Sequence, residues 1–217
     1  RRALPAFDGL GRDFHATTGT TAARPWKTGT SVNALRRAAY GADAGHAVTL
    51  CVPWVDPAEQ AHIFPGQRTF ATPAEQEAHM REWLAARDGA HAAFEVRFYP
   101  ARYDVVRGSV LPLGDTTKWT GDADAPRDLC VLEEPEHLNW YHGGRNWRRR
   151  FKLVVGVVHT NYISYAELYQ PENVFIVRSI NSLCARAHCD RTIKLSDCLQ
   201  KFARSAVCNV HGCRSEF

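Results

Sequence analysis

Six apolar residues in a row, Leu153–Val158 (LVVGVV), follow the basic Arg148–Lys152 stretch and end at His159. A run of that length and composition reads as a buried strand rather than a surface helix. Val48–Val55 (VTLCVPWV) repeats the pattern, β-branched and closed by Pro57. Between and around these runs the chain turns helical. Thr72-Pro73-Ala74-Glu75 is a capping box with proline at the first helical position, Met80, Trp83 and Leu84 follow at helical spacing, and Gly89 ends the pattern. Further strands are predicted at Phe94–Tyr99, Leu129–Leu132, near Thr192–Leu195 and at Ala206–Val210, with a helix from about Asn173 to Ala187. Strands separated by helices imply parallel pairing through right-handed crossovers, hence an α/β, doubly wound, Rossmann-like sheet with flanking helices. One stretch resists this reading. Asp13–Thr21 (DFHATTGTT), where a first strand is due, is more polar than a buried central strand should be, which predicts an edge position or a local departure from the pattern.

A length of 217 residues suits one large domain. No Pro/Gly/Ser linker divides it, so residues 14–217 read as one domain behind a poorly ordered lead-in at 1–13. The chain opens on Arg1 without a methionine or an apolar signal core, and it reads as a piece of something longer. A formal charge of +4 is too mild to point to nucleic acid, yet permits a local basic patch. No apolar run nears the ~20 residues of a membrane-spanning helix. The seven cysteines form no C-x-x-C pair. Cys184, Cys189, Cys198, Cys208 and Cys213 crowd the end without a zinc spacing, so free thiols are expected and no metal.

Ligands of such sheets bind beyond the carboxyl ends of the strands, which singles out three loops. Pro25–Thr30 precedes a helix with Val32, Leu35 and Ala39 on its apolar face and Thr30 or Ser31 as cap; Gly29 would let phosphate or sugar hydroxyls approach the helix end. A turn with a helix cap explains the same residues. His159 follows the apolar run and should face the crevice, with Thr160 and Asn161 beside it, although a histidine bonded within the core fits as well. The third loop, Leu132–His142 (LEEPEHLNWYH), concentrates carboxylates, histidines and aromatics. Adjacent Glu133 and Glu134 should diverge on an extended strand end, and nothing sets two carboxylates at the ~5.5 Å or ~6.5–9.5 Å that glycoside hydrolysis uses. His137 and His142 miss the i, i+4 spacing of a zinc helix. Beyond them, Trp147 with Arg148, Arg149 and Arg150 suits a lipid–water boundary, against the plainer reading of a solvated charged face.

These stretches together resemble the plant and algal digalactosyldiacylglycerol synthases. LEEPEHLNWYH, VVGVVHTNY and AVCNVHG carry the resemblance, with PWKTGTSVN, RAAY, VTLCVPWV, PAEQE and FYPARY in the same order. It runs from about Thr20 to Gly212. The resemblance implies the N-terminal, acceptor-side half of a retaining glycosyltransferase of two facing Rossmann-like domains, the GT-B fold. It further implies galactose transfer from UDP-galactose to monogalactosyldiacylglycerol, peripherally at the chloroplast outer envelope on an anionic membrane, with no cofactor beyond the co-substrate. The donor domain would lie outside this chain, which alone should be inactive.

Residue roles implied by the resemblance follow the matching positions. His159 would hold the donor sugar and help stabilise developing charge. Gly29 and Thr30 would lie against donor phosphates and acceptor, Thr160 and Asn161 beside them. Glu133, Glu134, His137, Asn139 and Tyr141 would shape the acceptor site. Lys27 stands where the family pattern leads one to expect a hydrophobic residue, and Gly143 where it leads one to expect histidine. The competing classes are a non-catalytic membrane- or sugar-binding α/β module and, more remotely, a carboxylate-dependent glycosidase.

Overall fold

The structure is a computed structural model that describes residues 14–121, 127–140 and 146–208. Among the described residues eight strands form one sheet: β1 (His15–Gly19), β2 (Ala47–Trp54), β3 (Glu95–Asp104), β4 (Ser109–Pro112), β5 (Arg127–Glu133), β6 (Phe151–Val158), β7 (Arg191–Lys194) and β8 (Ser205–Val207). Their order is β4-β3-β2-β1-β5-β6-β7-β8, and every pairing is parallel except the β3–β4 hairpin at one edge. The helices are α1 (Gly29–Asp43), α2 (Pro57–Ile63), α3 (Pro73–Asp88), α4 (Pro135–Leu138), α5 (Tyr162–Tyr169) and α6 (Val174–His188). The fold is thus the expected α/β, Rossmann-like parallel sheet with flanking helices. The lead-in at 1–13 lies outside the described residues.

Alternation along the strands divides the core between the two faces. Val48, Leu50 and Val52 on β2 join Leu35, Ala38, Met80 and Leu84 of α1 and α3 in one apolar cluster. Cys51, between them, points the other way, into a cluster with Tyr99, Leu132, Trp147 and Val154. Thr72 caps α3 as expected, its Oγ1 accepting from the Glu75 N–H, while the Glu75 carboxylate reaches one residue further back than a capping box requires and accepts from the Ala71 N–H. Gly89, at φ 85°, ends α3 in a conformation that favours glycine.

The polar first strand is a correction. β1 is fourth of eight, paired on both sides with β2 and β5, and Thr17 and Thr18 are fully buried. Threonine is β-branched and fits a pleated, enclosed strand, its methyl packing like valine's. Beyond the strand, Thr20 Oγ1 donates to the Ala22 carbonyl, satisfying a buried hydroxyl locally. The cap of α1 also lies two to three residues earlier than expected. Thr28, not Thr30 or Ser31, accepts the orphan Ser31 N–H, at 3.2 Å.

Candidate active site

The strand order reverses between β1 and β5, and a cleft of about 1060 Å³ opens at that point, beyond the carboxyl ends of β1, β5, β6 and β7. One wall is the loop after β1 with the start of α1. Tyr99 Oη ties this loop down by donating to the Thr20 carbonyl at 2.6 Å, and Ser31 Oγ donates to Trp26 O at 2.7 Å. Thr28, Gly29, Thr30 and Asn33 face the cleft from this side. At Gly29 an added Cβ would meet nothing within 4 Å, so the backbone is open to a ligand.

The opposite wall joins the end of β5 to the segment after β6. Glu133 ends β5, in register with Val157. Glu134 then takes a left-handed conformation, φ 56° and ψ 63°, with its N–H donated to Val157 O at 2.8 Å. Such a conformation is unusual outside glycine and costs about 1 kcal/mol. The turn folds both adjacent carboxylates inward instead of splaying them, correcting the expectation of an extended strand end. Glu133 is completely buried, and its carboxylate bonds Arg37 Nε at 2.6 Å and His159 Nε2. Glu134 accepts from Thr160 Oγ1 and, at 3.0 Å, from Tyr162 Oη.

Three carboxyls in four positions therefore titrate unlike one another, two lowered and one raised. Burial pushes the Glu133 pKa up, but the His159 hydrogen bond and the Arg37 charge outweigh it, and the group stays ionised below its ordinary value. Glu134 is likewise lowered, burial being outweighed by His137 and Thr160. Glu136 is fully buried with neither oxygen hydrogen-bonded; burial first and the Glu134 charge second raise its pKa well above normal. Glu136 is thereby biased toward its neutral form.

An ionised Glu133 fixes the His159 ring. Nε2 must donate to the carboxylate, so in the neutral ring Nδ1 is an acceptor, and Asn33 Nδ2 lies 3.3 Å from it. His159, on the cleft wall, is thereby held at both nitrogens by groups from α1 and β5. Sequence reasoning missed Asn33 and Arg37. They are one helical turn apart on α1 and share a face, a spacing that was visible, but their partners lie 126 and 96 positions away. Tyr162 was missed too; its hydroxyl bridges Glu134 and, at 3.0 Å, His137 Nδ1.

The remaining predicted residues scatter. Glu134, His137 and Thr160 line the cleft. Asn139 sits behind the wall with both amide ends used: Nδ2 donates to Pro135 O at 2.6 Å, and Oδ1 accepts from Trp147 Nε1 at 2.8 Å. Asn161 caps α5 through Ser164 N–H. Tyr141 lies outside the described residues. Trp147 is 1% exposed and packs in the core, so it does not meet a membrane; a buried indole needs one acceptor, and Asn139 supplies it. Arg148 pairs with Asp190 at 3.0 Å, and Arg150 donates to the Gly121 carbonyl. Of the four residues assigned to a lipid boundary, Arg149 alone is exposed.

Among the described residues no group of His, Cys, Asp or Glu is arranged to hold a metal ion. Cys184 and Cys189 are buried, Cys198 is exposed, and Cys213 lies outside the described residues. Burial pushes the Cys184 thiol up to about 11, which keeps it protonated and unreactive. No helix among the described residues is long and apolar enough to cross a membrane.

No family model matches the chain. It is 44% identical over 213 residues to digalactosyldiacylglycerol synthase 1, chloroplastic, of Glycine max, which covers 97% of this chain and 27% of that protein. Against digalactosyldiacylglycerol synthase 2, chloroplastic, of Arabidopsis thaliana it is 43% identical over 209 residues, 95% of this chain and 44% of that protein. Lotus japonicus synthase 1 is 45% identical over 206 residues, 26% of its length. The chain thus spans about a quarter of the synthase 1 relatives and under half of synthase 2. Identity at this level across nearly every residue makes the chain a homologue of one part of the digalactosyldiacylglycerol synthases.

Proposed function

We propose that the chain is the N-terminal, acceptor-side half of a GT-B glycosyltransferase that moves galactose from UDP-galactose to monogalactosyldiacylglycerol, with retention and without a further cofactor. The observation that carries this reading is the His159 corner: a histidine at the switch-point cleft, held by a buried ionised Glu133 and by Asn33. The names of the relatives supply the product class and the chloroplast; peripheral association with the outer envelope belongs to the same proposal.

In this reading the open backbone at Gly29 and the end of α1 receive the donor phosphates, where unpaired N–H groups favour negative charge. A sugar hydroxyl takes the place of Asn33 Nδ2 at His159 Nδ1, exchanging one hydrogen bond for another. As the bond to UDP lengthens, positive charge develops on the sugar. The Glu133 carboxylate behind the imidazole offsets that charge without reorganising. Thr160, Glu134 and His137 then form the wall that the acceptor sugar meets. Cations that help UDP depart belong to a second domain beyond this chain.

The test is transfer of labelled galactose from UDP-galactose to monogalactosyldiacylglycerol in mixed micelles, with this chain and with the full-length protein. Product from the full-length form alone is expected. Product from neither, with both folded, would return the chain to a sugar- or membrane-binding module.

A further inference from the structure

Helices α5 and α6 leave an unusual amount of apolar surface in water. On α5, Leu168 and Tyr169 are 71% and 72% exposed; on α6, Phe175 and Leu183 are 77% and 66% exposed. Ile176, Ile180 and Leu183 follow at i, i+4 and i+7, one stripe of α6, beside the α5 face against which that helix packs. Scattered exposed apolar residues need no explanation, but a stripe continued over two packed helices marks an interaction surface. The stripe runs into the cleft, whose rim includes Tyr165, Tyr169 and Ile180. Across the mouth stands Val106, at the tip of the β3–β4 hairpin and 94% exposed.

We infer that the α5–α6 face lies flat on a lipid bilayer of low charge and feeds a lipid acceptor, sugar first, into the cleft. This rests on the proposed galactolipid transfer. The cleft has a polar floor at His159, Glu134 and Thr160 and apolar rims on both sides, the profile of an amphiphile with a sugar head and acyl tails. Tyrosines at the rim with Leu, Ile and Phe further out follow the polarity gradient of a bilayer interface. Charge argues for a neutral surface. Glu167 of α5 and Glu172 in the short turn between the helices stand against Arg178 and Arg186 of α6, so anionic lipid gains little. Docking therefore works by burying apolar side chains, and the Arg148–Arg150 segment takes no part.

The test uses the full-length protein and the triple variant Leu168→Gln/Phe175→Gln/Leu183→Gln, none of which lines the cleft. Both are sedimented with phosphatidylcholine vesicles containing monogalactosyldiacylglycerol, with and without phosphatidylglycerol, at low and high salt. The wild type is expected to bind the neutral vesicles with little salt dependence. The variant is expected to bind about tenfold or more weakly, to lose transfer to vesicle-borne acceptor, and to keep transfer to a short-chain acceptor in solution. Equal binding by the two proteins overturns the inference. So do binding only to anionic vesicles, a wild type that ignores vesicles, and a variant that merely turns a dimer into a monomer. Vesicle binding lost in the variant, with no galactose transfer by either protein to any acceptor, leaves the docking face standing and removes the proposed reaction.

Discussion

Glu133 and Glu136 are both fully buried one turn of chain apart, and they answer to pH in opposite directions because only one of them has partners. Glu133 is ionised against Arg37 and His159. Its folded pKa lies below the unfolded value, so its contribution is complete above about pH 4.5 and is lost as pH falls through the folded pKa. Replacing it by glutamine should cost about 2 kcal/mol in urea unfolding, less than a fully enclosed pair because Arg37 is partly exposed. An unchanged midpoint would mean that the pair is not formed. Glu136 runs the other way. Its folded pKa is raised, so the unfolded chain releases a proton above about pH 4.5 that the folded one keeps, and stability falls as pH rises. Glu136→Gln should remove up to about 1.4 kcal/mol of that loss per pH unit. A stability profile between pH 5 and 8 with the same slope in both proteins would refute a neutral Glu136. None of this was legible in LEEPEHLNWYH. The adjacent glutamates read as divergent because a left-handed Glu134 leaves no mark in composition. The histidine after the β6 run was legible, since strand ends in parallel sheets face the ligand crevice.

Two glycines show how the elements fix that corner. Gly156 on β6 lies under α4: an added Cβ would stand 2.6 Å from Pro135 Cγ and 2.8 Å from Cys189 Sγ. Gly156→Ala should therefore destabilise the protein by about 2 kcal/mol or more, as overpacking does, and loosen the Glu134 turn that Pro135 follows. A melting temperature equal to wild type would show that α4 can lift away without penalty. Gly29→Ala meets nothing and has no left-handed φ to lose, so stability should change by less than about 0.5 kcal/mol. If the helix end receives donor phosphates, the same change should weaken UDP binding; equal affinity in calorimetry on the full-length protein would detach Gly29 from the donor. Most elements were legible from apolar runs and caps: β2, β6, α3 and α6 form within a few residues of expectation. β1 was misjudged because threonine counts as polar in composition but packs as a β-branched residue in a strand. The β3–β4 hairpin was missed, since Ser109–Pro112 is too short for alternation to register.

At the scale of the whole molecule, the strand order reverses between β1 and β5, and the His159 corner draws Asn33 and Arg37 from α1, which follows β1, Glu133 from β5, and His159 from the end of the adjacent β6. The cleft was foreseeable from the strand–helix alternation, but its depth and its apolar mouth were not. They depend on α1, α5 and the hairpin, segments far apart in the chain, coming to line one cleft. Trp147 and its arginines misled for a related reason. A tryptophan among basic residues suits a lipid boundary and a core indole equally, and the burial of Trp147 with its 2.8 Å bond to Asn139 decides between them. The exposed stripe on α5 and α6 instead gives the molecule its apolar side, next to the cleft it would serve. The most direct measurement is the turnover of full-length His159→Ala with UDP-galactose and monogalactosyldiacylglycerol at saturation. The account predicts a fall of roughly a hundredfold or more in kcat in a protein that still unfolds cooperatively. Near-normal turnover would contradict it and move the chemistry away from this corner.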